Sequence, residues 1–427
     1  MIDDDERRAR LAQRHRLLPR LRTDDVVRIA DDLVALHSTD PVTVVLSAMV
    51  RMEHPSVAAV EEVVYERRAL IRHHAMRRTL WLARPDTVRM MHASATRKLV
   101  GPERRRTIKM LAESDVLEPE SWLDKAREEI LADLHAHGPS TAREIGQRLE
   151  TVRQPLRLAE GKSYASTQGA HSRVITLLGF EGRILRARPT SWITGAYRYA
   201  AAEDWLPGGV DDADLDEAVA AAALAASYLR RFGPVTTTDL QWWMGWTLGL
   251  TRRALADCGA VEVELAGGPG WLAPDDKAVP YPEDPGRENP GPEVVSDLEP
   301  WVALLPGLDP TTMGWKQRGW YLPDSAAEAF DSVGNGGPTI WVDGRIVGAW
   351  AQDRDGEVHL HYFEKVPAKR RREVGDRVAE LKAMIGDTRF SVRFPGNIHA
   401  QLGPTSRRVR RGWSSAPTEP PGVGASG

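Results

Sequence analysis

The chain has 427 residues, more than one hydrophobic core usually serves, so about three or four domains are expected. Its composition, 42 % hydrophobic and 27 % charged, is that of ordinary globular material, and no apolar run approaches the roughly 20 residues needed to span a bilayer. The net charge of −3 speaks against a generic polyanion binder, and the single cysteine, Cys258, excludes an internal disulfide and any multi-cysteine zinc site.

The first residues, Met1 to Glu6, are acidic, unlike the basic start of a secretory signal, and with the lone cysteine they point to a reducing cytoplasm. Glu6 to Leu18 reads as a helix rich in Arg and Leu. Thr23 is expected to cap a second helix with Val26, Val27, Ala30, Leu33 and Val34 as its buried stripe. That helix runs into Leu36-His37-Ser38-Thr39-Asp40-Pro41, where Pro41 forces a break. Val42 to Met52 and Ser56 to Arg68 are again helical, and Ile71 to Ala83 has the loose alternation of a β-ribbon.

The stretch from Leu123 to Pro189 gives the clearest statement of a pattern that the rest varies. Leu123, Ala126, Ile130, Leu131 and Leu134 have helical spacing, and Gly138-Pro139 stops that helix. Thr141-Ala142-Arg143-Glu144 has the form of a capping box, opening a helix that buries Ile145 and Leu149. A third helix from Ala170 would bury Val174, Leu177 and Leu178 and expose His171, Ser172, Arg173 and Thr176. Arg183 to Arg188 then forms a strand bearing arginines. Three helices and a basic ribbon outline a winged helix, whose third helix and wing usually face nucleic acid. Gly138-Pro-x-Thr-x-x-acid-aliphatic recurs at Gly233 to Leu240, with an Ala-rich helix before it and a ribbon after it, which suggests duplication. In that later copy the ribbon Val261-Glu262-Val263-Glu264-Leu265 carries acids that phosphate would repel, so it reads as a packing module. Trp242, Trp243 and Trp246 could stack bases, but at helical spacing they read as core.

Charge is unevenly spread. Arg67 to Arg78 holds five arginines and two histidines with no acid, and acids gather in Glu203 to Glu217 and Asp275 to Glu299. A dipolar protein with a basic concavity fits this, although each cluster also fits a solvated helix face. Lys277 to Pro292 reads as a linker. Trp301 to Leu305, Thr339 to Val342, Arg345 to Ala351, Val358 to Phe363 and Arg389 to Phe394 look like strands, Asp343-Gly344 like a two-residue hairpin turn, and Lys369 to Ile385 like an amphipathic helix. The Pro-, Gly- and Ser-rich end carries a basic knot at Arg407, Arg408, Arg410 and Arg411 and is expected to be disordered.

The expected fold is therefore α+β: winged helices over residues 1–115, 116–204 and 205–275, a linker over 276–298, a β-barrel-like domain over 299–400 and a tail over 401–427. This order of modules, with Leu33 to Pro41 and Leu304-Leu305-Pro306-Gly307-Leu308-Asp309-Pro310 followed by Gly314-Trp315-Lys316-Gln317-Arg318 and Gly337-Pro338-Thr339, resembles the winged-helix DNA glycosylases of the AlkZ and YcaQ type over about residues 5–400. The resemblance implies three winged helices in a C-shaped array with a C-terminal β-barrel-like domain. It also implies a concave side that binds duplex DNA, and release of alkylated or crosslinked purines by hydrolysis of the N-glycosidic bond.

Members of that family carry Gln-x-Gln or Gln-x-Asp where this chain has His37-Ser38-Thr39, and those side chains are taken to place a water at the anomeric carbon. His37, Thr39 and Asp40 are thus the catalytic candidates, with His37 accepting a proton or orienting the water. If the segment is extended, His37 shares a face with Thr39; if it is a helical turn, it shares one with Asp40. A local role remains open, with His37 bonding at a helix end where a cation suits the dipole. A working His37 of ordinary basicity would make activity fall on the acid side of roughly pH 6 to 7. DNA contacts are expected from Arg72, Arg77, Arg78, Arg173, Arg183, Arg186 and Arg188. No metal or cofactor is expected, nor a membrane; the partner is double-stranded DNA, bound by a monomer in the cytoplasm, at the nucleoid. The alternatives are a non-catalytic winged-helix DNA-binding protein and a transcription regulator.

Overall fold

The computed structural model describes residues 1–158, 166–276 and 300–402. Residues 277–298 of the expected linker, and the tail from 403 onward with its four arginines, lie outside the described residues.

Asp3 caps α1 (Asp4–Arg14) by accepting the Glu6 amide at 2.8 Å. The helix stops short of the expected Leu18 because Arg16 turns to a left-handed φ of 53°. Asp25, and not Thr23, caps α2 (Val26–Asp32), accepting the Arg28 amide at 3.0 Å. Thr23 instead accepts the Asp25 amide at 3.3 Å. Val34 then adopts φ 61° and throws the chain into a strand, β1 (Leu36–His37), so α2 does not run on into it. Pro41 opens α3 (Pro41–Met49) at its first position, where a missing N–H costs nothing, with Asp40 as the cap. Ser56 caps α4 (Val57–Glu61). The expected ribbon is a hairpin of β2 (Ile71–His74) and β3 (Leu80–Ala83), with β3 central in the order β1-β3-β2, and every residue of both strands is buried. Next come α5 (Pro85–Met91) and α6 (Arg97–Ala112).

In the middle of the chain α7 (Pro119–His137) ends at Gly138, whose φ of 70° favours glycine. After β4 (Ser140–Thr141), Thr141 and Glu144 form the reciprocal box that opens α8 (Ala142–Arg148). A hairpin of β5 (Pro155–Leu158) and β6 (Ser166–Gly169), not foreseen from the sequence, precedes α9 (His171–Phe180), which buries Val174, Leu177 and Leu178 as expected. β7 (Ile184–Pro189) and β8 (Tyr197–Ala201) complete a sheet of order β4-β8-β7, and α10 (Ala202–Trp205) follows.

The Ala-rich α11 (Glu217–Phe232) leads to α12 (Thr237–Met244), opened by a second box between Thr236 and Asp239. The recurring sequence pattern is thus one capping device built twice. After α13 (Leu248–Asp257), β9 (Val261–Leu265) and β10 (Gly268–Leu272) pair antiparallel. Trp243 and Trp246 are buried core, while Trp242 is half-buried.

β11 (Val302–Leu305), β12 (Thr339–Val342), β13 (Arg345–Gln352) and β14 (Val358–Tyr362) form an antiparallel sheet in sequence order, with α14 (Ala368–Ile385) against β11. Asp343 and Gly344, at φ 48° and 84°, make the two-residue turn. Within the described residues this sheet is open at both edges; it is not the closed barrel expected. Arg389 to Phe394 is not a strand, because the Phe390 amide goes to the Gln352 side chain and the Arg393 amide to Asp40 instead of a ladder.

One core runs from α1 through Trp81, Tyr228 and Trp243 to Trp315 and Trp341, joining the first, third and last parts of the fold. At its polar centre Arg51 and Asp309 are both fully buried. Both guanidinium nitrogens reach the carboxylate at 2.9 Å, and the remaining N–H groups go to His15 O, Ser47 O and Thr311 Oγ1. Asp309 also accepts from Ser47 Oγ at 2.7 Å and the Thr311 amide at 2.9 Å, so no charge is left unsatisfied. Arg51→Ala or Asp309→Ala should therefore lower the unfolding free energy by about 3–5 kcal/mol, by stranding a buried charge. Arg51→Met with Asp309→Leu should recover most of that loss in urea melts; a double variant as unstable as the singles would show that the pair contributes more than its own satisfaction.

Candidate functional site

β1 presents the candidate residues. Its side chains alternate, so His37 and Ser38 leave opposite faces of the β1-β3-β2 sheet. His37 packs edge-on against its register partner Trp81, centroids 4.8 Å apart, and Trp81 lies 5.1 Å from Trp243. Ser38 lies on the other side, where its hydroxyl accepts Arg72 Nε at 2.5 Å. Thr39, the half-exposed member of the segment, accepts the Leu80 amide at 3.3 Å. Asp40 is occupied at both oxygens: one accepts the Val42 amide as a helix cap, the other the Arg393 amide, each at 3.2 Å. The segment is extended, and Asp40 makes no hydrogen bond to His37. The helical His–Asp pairing is thereby excluded, and so is a His37 at a helix C-terminus.

Burial, followed by the nearby Arg77 guanidinium, lowers the His37 pKa from 6.5 to about 3. The imidazole is neutral at physiological pH, and its buried Nδ1 has no hydrogen-bond partner. Such a ring can orient a water, and as a proton acceptor it is much weaker than an exposed histidine. Burial pushes the Asp40 carboxyl up, opposed by the Arg393 amide and charge.

The arginines named from sequence fall into three environments. Arg72 is 3 % exposed, bonded to Ser38 and, at 3.1 Å, to Tyr65 Oη, and its guanidinium lies 4.7 Å from the Tyr197 ring. A cavity of about 10 Å³, lined in part by Tyr65, Arg72 and Trp192, has room for about one water. Arg186 lies over the same Tyr197 ring at 5.3 Å. Acids neutralise a second group: Arg78 meets Glu103 at 2.9 Å, Arg188 meets Glu61 and Glu66 at 3.0 and 2.9 Å, and Arg183 approaches Glu128 at 3.7 Å. In the third group, Arg77 stacks on Trp242 at 4.0 Å, and the half-buried Arg173 has a buried, unpartnered Nε; neither makes an ion pair among the described residues. The basic run from Arg67 to Arg78 is therefore not one solvated face.

Sequence reasoning missed the aromatic partners. Tyr65 lies just beyond α4, and Tyr197 and Tyr199, which receive Arg72 and Arg186, lie on β8; no local pattern marks them. It also missed His74, which stacks on Phe180 at 4.4 Å and is held to about pKa 3 by burial and Arg186. His73 and His92 share a 3.0 Å contact in the core, with His92 lowered to about 4 by burial. Among the described residues no three His, Cys, Asp or Glu converge as metal ligands, and no helix is long and apolar enough to cross a membrane.

The sequence pattern described as DNA glycosylase AlkZ-like matches residues 30–384. The chain belongs to the AlkZ-like DNA glycosylase family. Its fold is similar to the solved structure of Streptomyces sahachiroi DNA glycosylase AlkZ, with a TM-score of 0.65 over 91 % of this chain and 98 % of that one. Identity between the two is 20 %, so the likeness is one of fold. No curated protein matches the sequence.

The core has a measurable signature. His37, His74 and His92 bind no proton in the folded state between about pH 4 and 6.5, whereas each does when unfolded. Their folded pKa values are lowered, so unfolding takes up protons and stability falls as pH drops below 6.5. The urea midpoint should decline steeply from pH 7 to pH 5. A flat midpoint over that range would show that these rings are hydrated and titrate normally.

Proposed function

We propose that the protein is a DNA glycosylase-like repair enzyme that binds duplex DNA and hydrolyses the N-glycosidic bond of alkylated or crosslinked purines. The observation that carries this reading is the neutral, unpartnered His37 imidazole, set on β1 where the family's water-placing side chains belong. On this reading residues 1–115, 116–204 and 205–275 are winged helices in a C-shaped array. Arg72, Arg77, Arg78, Arg173, Arg183, Arg186 and Arg188 supply its basic side, directly or through their aromatic neighbours, and the site lies in the first unit.

The chemistry asks little of the protein. An N-alkylated purine is cationic and already a good leaving group. As C1′–N9 breaks, the bonding pair leaves with the base, and a water oxygen adds to C1′. His37 orients that water or takes its proton, and Thr39 is the second polar group on the same extended segment. Asp40 acts through structure, by capping α3 and taking the Arg393 amide. One observation favours a second reading: His37 is only 3 % exposed, which suits a duplex-binding protein that has kept the fold without the chemistry.

The test is base release from a duplex carrying 7-methylguanine. Wild-type protein should release the base, and His37→Ala should slow release by about a hundredfold or more with duplex affinity nearly intact. With a folded pKa near 3, His37 gives no acid limb between pH 5 and 8, so the fall near pH 6 to 7 expected of an ordinary histidine is replaced by a level profile. Asp40→Asn, which can still cap a helix, should act weakly. No release from several N-alkylated duplexes would favour the non-catalytic reading, and full activity in His37→Ala would move the site elsewhere.

A further inference from the structure

Three separate parts of the fold meet at one half-buried tryptophan. Arg77 arrives from the turn between β2 and β3, Trp242 from α12, and Arg318 from the loop after β11. The two guanidinium carbons lie 4.0 and 5.2 Å from the Trp242 ring, and that of Arg318 also lies 4.4 Å from the Phe330 ring.

The arrangement is built. Arg77 and Arg78 take successive left-handed conformations, φ 54° and 61°, which non-glycine residues adopt only where their surroundings enforce it. Gly245, at φ 69°, closes α12 and lets the chain come close to the Arg77 backbone, where a Cβ would sit 3.4 Å from its amide nitrogen. The Arg318 loop is fixed by Asp239, which accepts the Lys316 and Gln317 amides at 2.9 and 2.8 Å while its other oxygen serves the α12 cap. Arg318 itself donates to Trp315 O at 2.9 Å and Gly334 O at 3.4 Å.

What the cluster lacks is an anion. Among the described residues neither Arg77 nor Arg318 forms an ion pair, Asp239 is saturated by backbone and hydroxyl donors, and the buried Nε of Arg77 has no partner. Arg318 is an unfavourable neighbour of Arg77, and Arg77 in turn sits beside His37. Two adjacent, unneutralised guanidiniums held on an aromatic ring form a fork suited to a phosphate.

We propose that Arg77 and Arg318, stacked on Trp242, form a binding site for one backbone phosphodiester of DNA next to His37. The site rests on the duplex-DNA reading above, and extends the DNA-contacting surface to the C-terminal part and to the third unit, which the sequence alone marks as a packing module. It also has a chemical consequence. Positive charge develops on the sugar as the base leaves, and a bare Arg77 there would oppose it; the phosphate cancels that field.

The test is binding of undamaged duplex, followed by fluorescence anisotropy between 50 and 200 mM salt, a window chosen for the roughly linear log–log dependence expected there. Arg77→Gln and Arg318→Gln should each flatten the salt slope by about one unit, and the double variant by about two, while Arg318→Lys keeps the wild-type slope. Wild-type slopes in folded Gln variants would overturn the site, and so would an Arg318→Lys protein that behaves like Arg318→Gln, which would assign Arg318 to packing. Should inorganic phosphate stabilise the wild type but not the double variant, with duplex slopes unchanged, the fork takes a free anion and not DNA. If the wild type binds no duplex at all, it is the preceding reading of function that fails, and this site falls with it.

Discussion

The Arg51–Asp309 pair is the constraint on which the position of everything near β1 depends. A buried ion pair repays its desolvation only when every donor and acceptor is used, and here all are. Ser47 and Arg51 stand at the end of α3 and just beyond it, and Thr43 one turn earlier donates to Gly307 O at 2.6 Å. At the other end of α3, Asp40 takes the Arg393 amide. The helix is thus held along its length by residues from the last third of the chain. Since His37 lies immediately before α3, the C-terminal part sets the aim of the candidate site although it contributes no residue to the His37–Asp40 segment.

Aromatic packing does the complementary work on the opposite side. Trp81 under His37 continues through Trp243 to Phe232, and on through Trp315 to His15. Rings of that size exclude water, and exclusion of water is the main cause of the low His37 pKa; Arg77 adds to it. One packing arrangement therefore both stabilises the fold and sets the protonation state of the candidate base.

How much of this could be read from residues alone depends on the distance over which each feature is decided. Features decided within four residues were readable: the two Thr capping boxes, Gly138, the Asp343-Gly344 turn and the strands β12 to β14. The mistaken cap at Thr23 also belongs here, since Asp25 is an equally good candidate and only the start of α2 chooses between them. Features decided by distant partners were not readable. Arg188 looks like a wing cation until Glu61 and Glu66 are brought to it, and Arg72 looks exposed until Tyr65, Tyr197 and Ser38 surround it. The site was located at His37 to Asp40 through a resemblance, yet its geometry was left open between strand and helix turn, because one proline and one aspartate serve both. The β1–β3 pairing resolves it, and that pairing spans more than forty residues.

The charge on the candidate site follows from these distant contacts. An ordinary solvent-exposed histidine would be part cation near neutrality and poorly suited to standing beside a developing oxocarbenium ion. Burial against Trp81 removes that charge, and the extended backbone prevents Asp40 from restoring it, because a carboxylate three residues on, past the end of β1 and committed to a helix cap, does not pair with the ring. A neutral imidazole reproduces part of what a glutamine side chain supplies, a polar group that orients water without bearing charge. On the proposed reading, a histidine at this position does the work of an amide only in this packed setting, because the core, and not the local sequence, sets the state of His37.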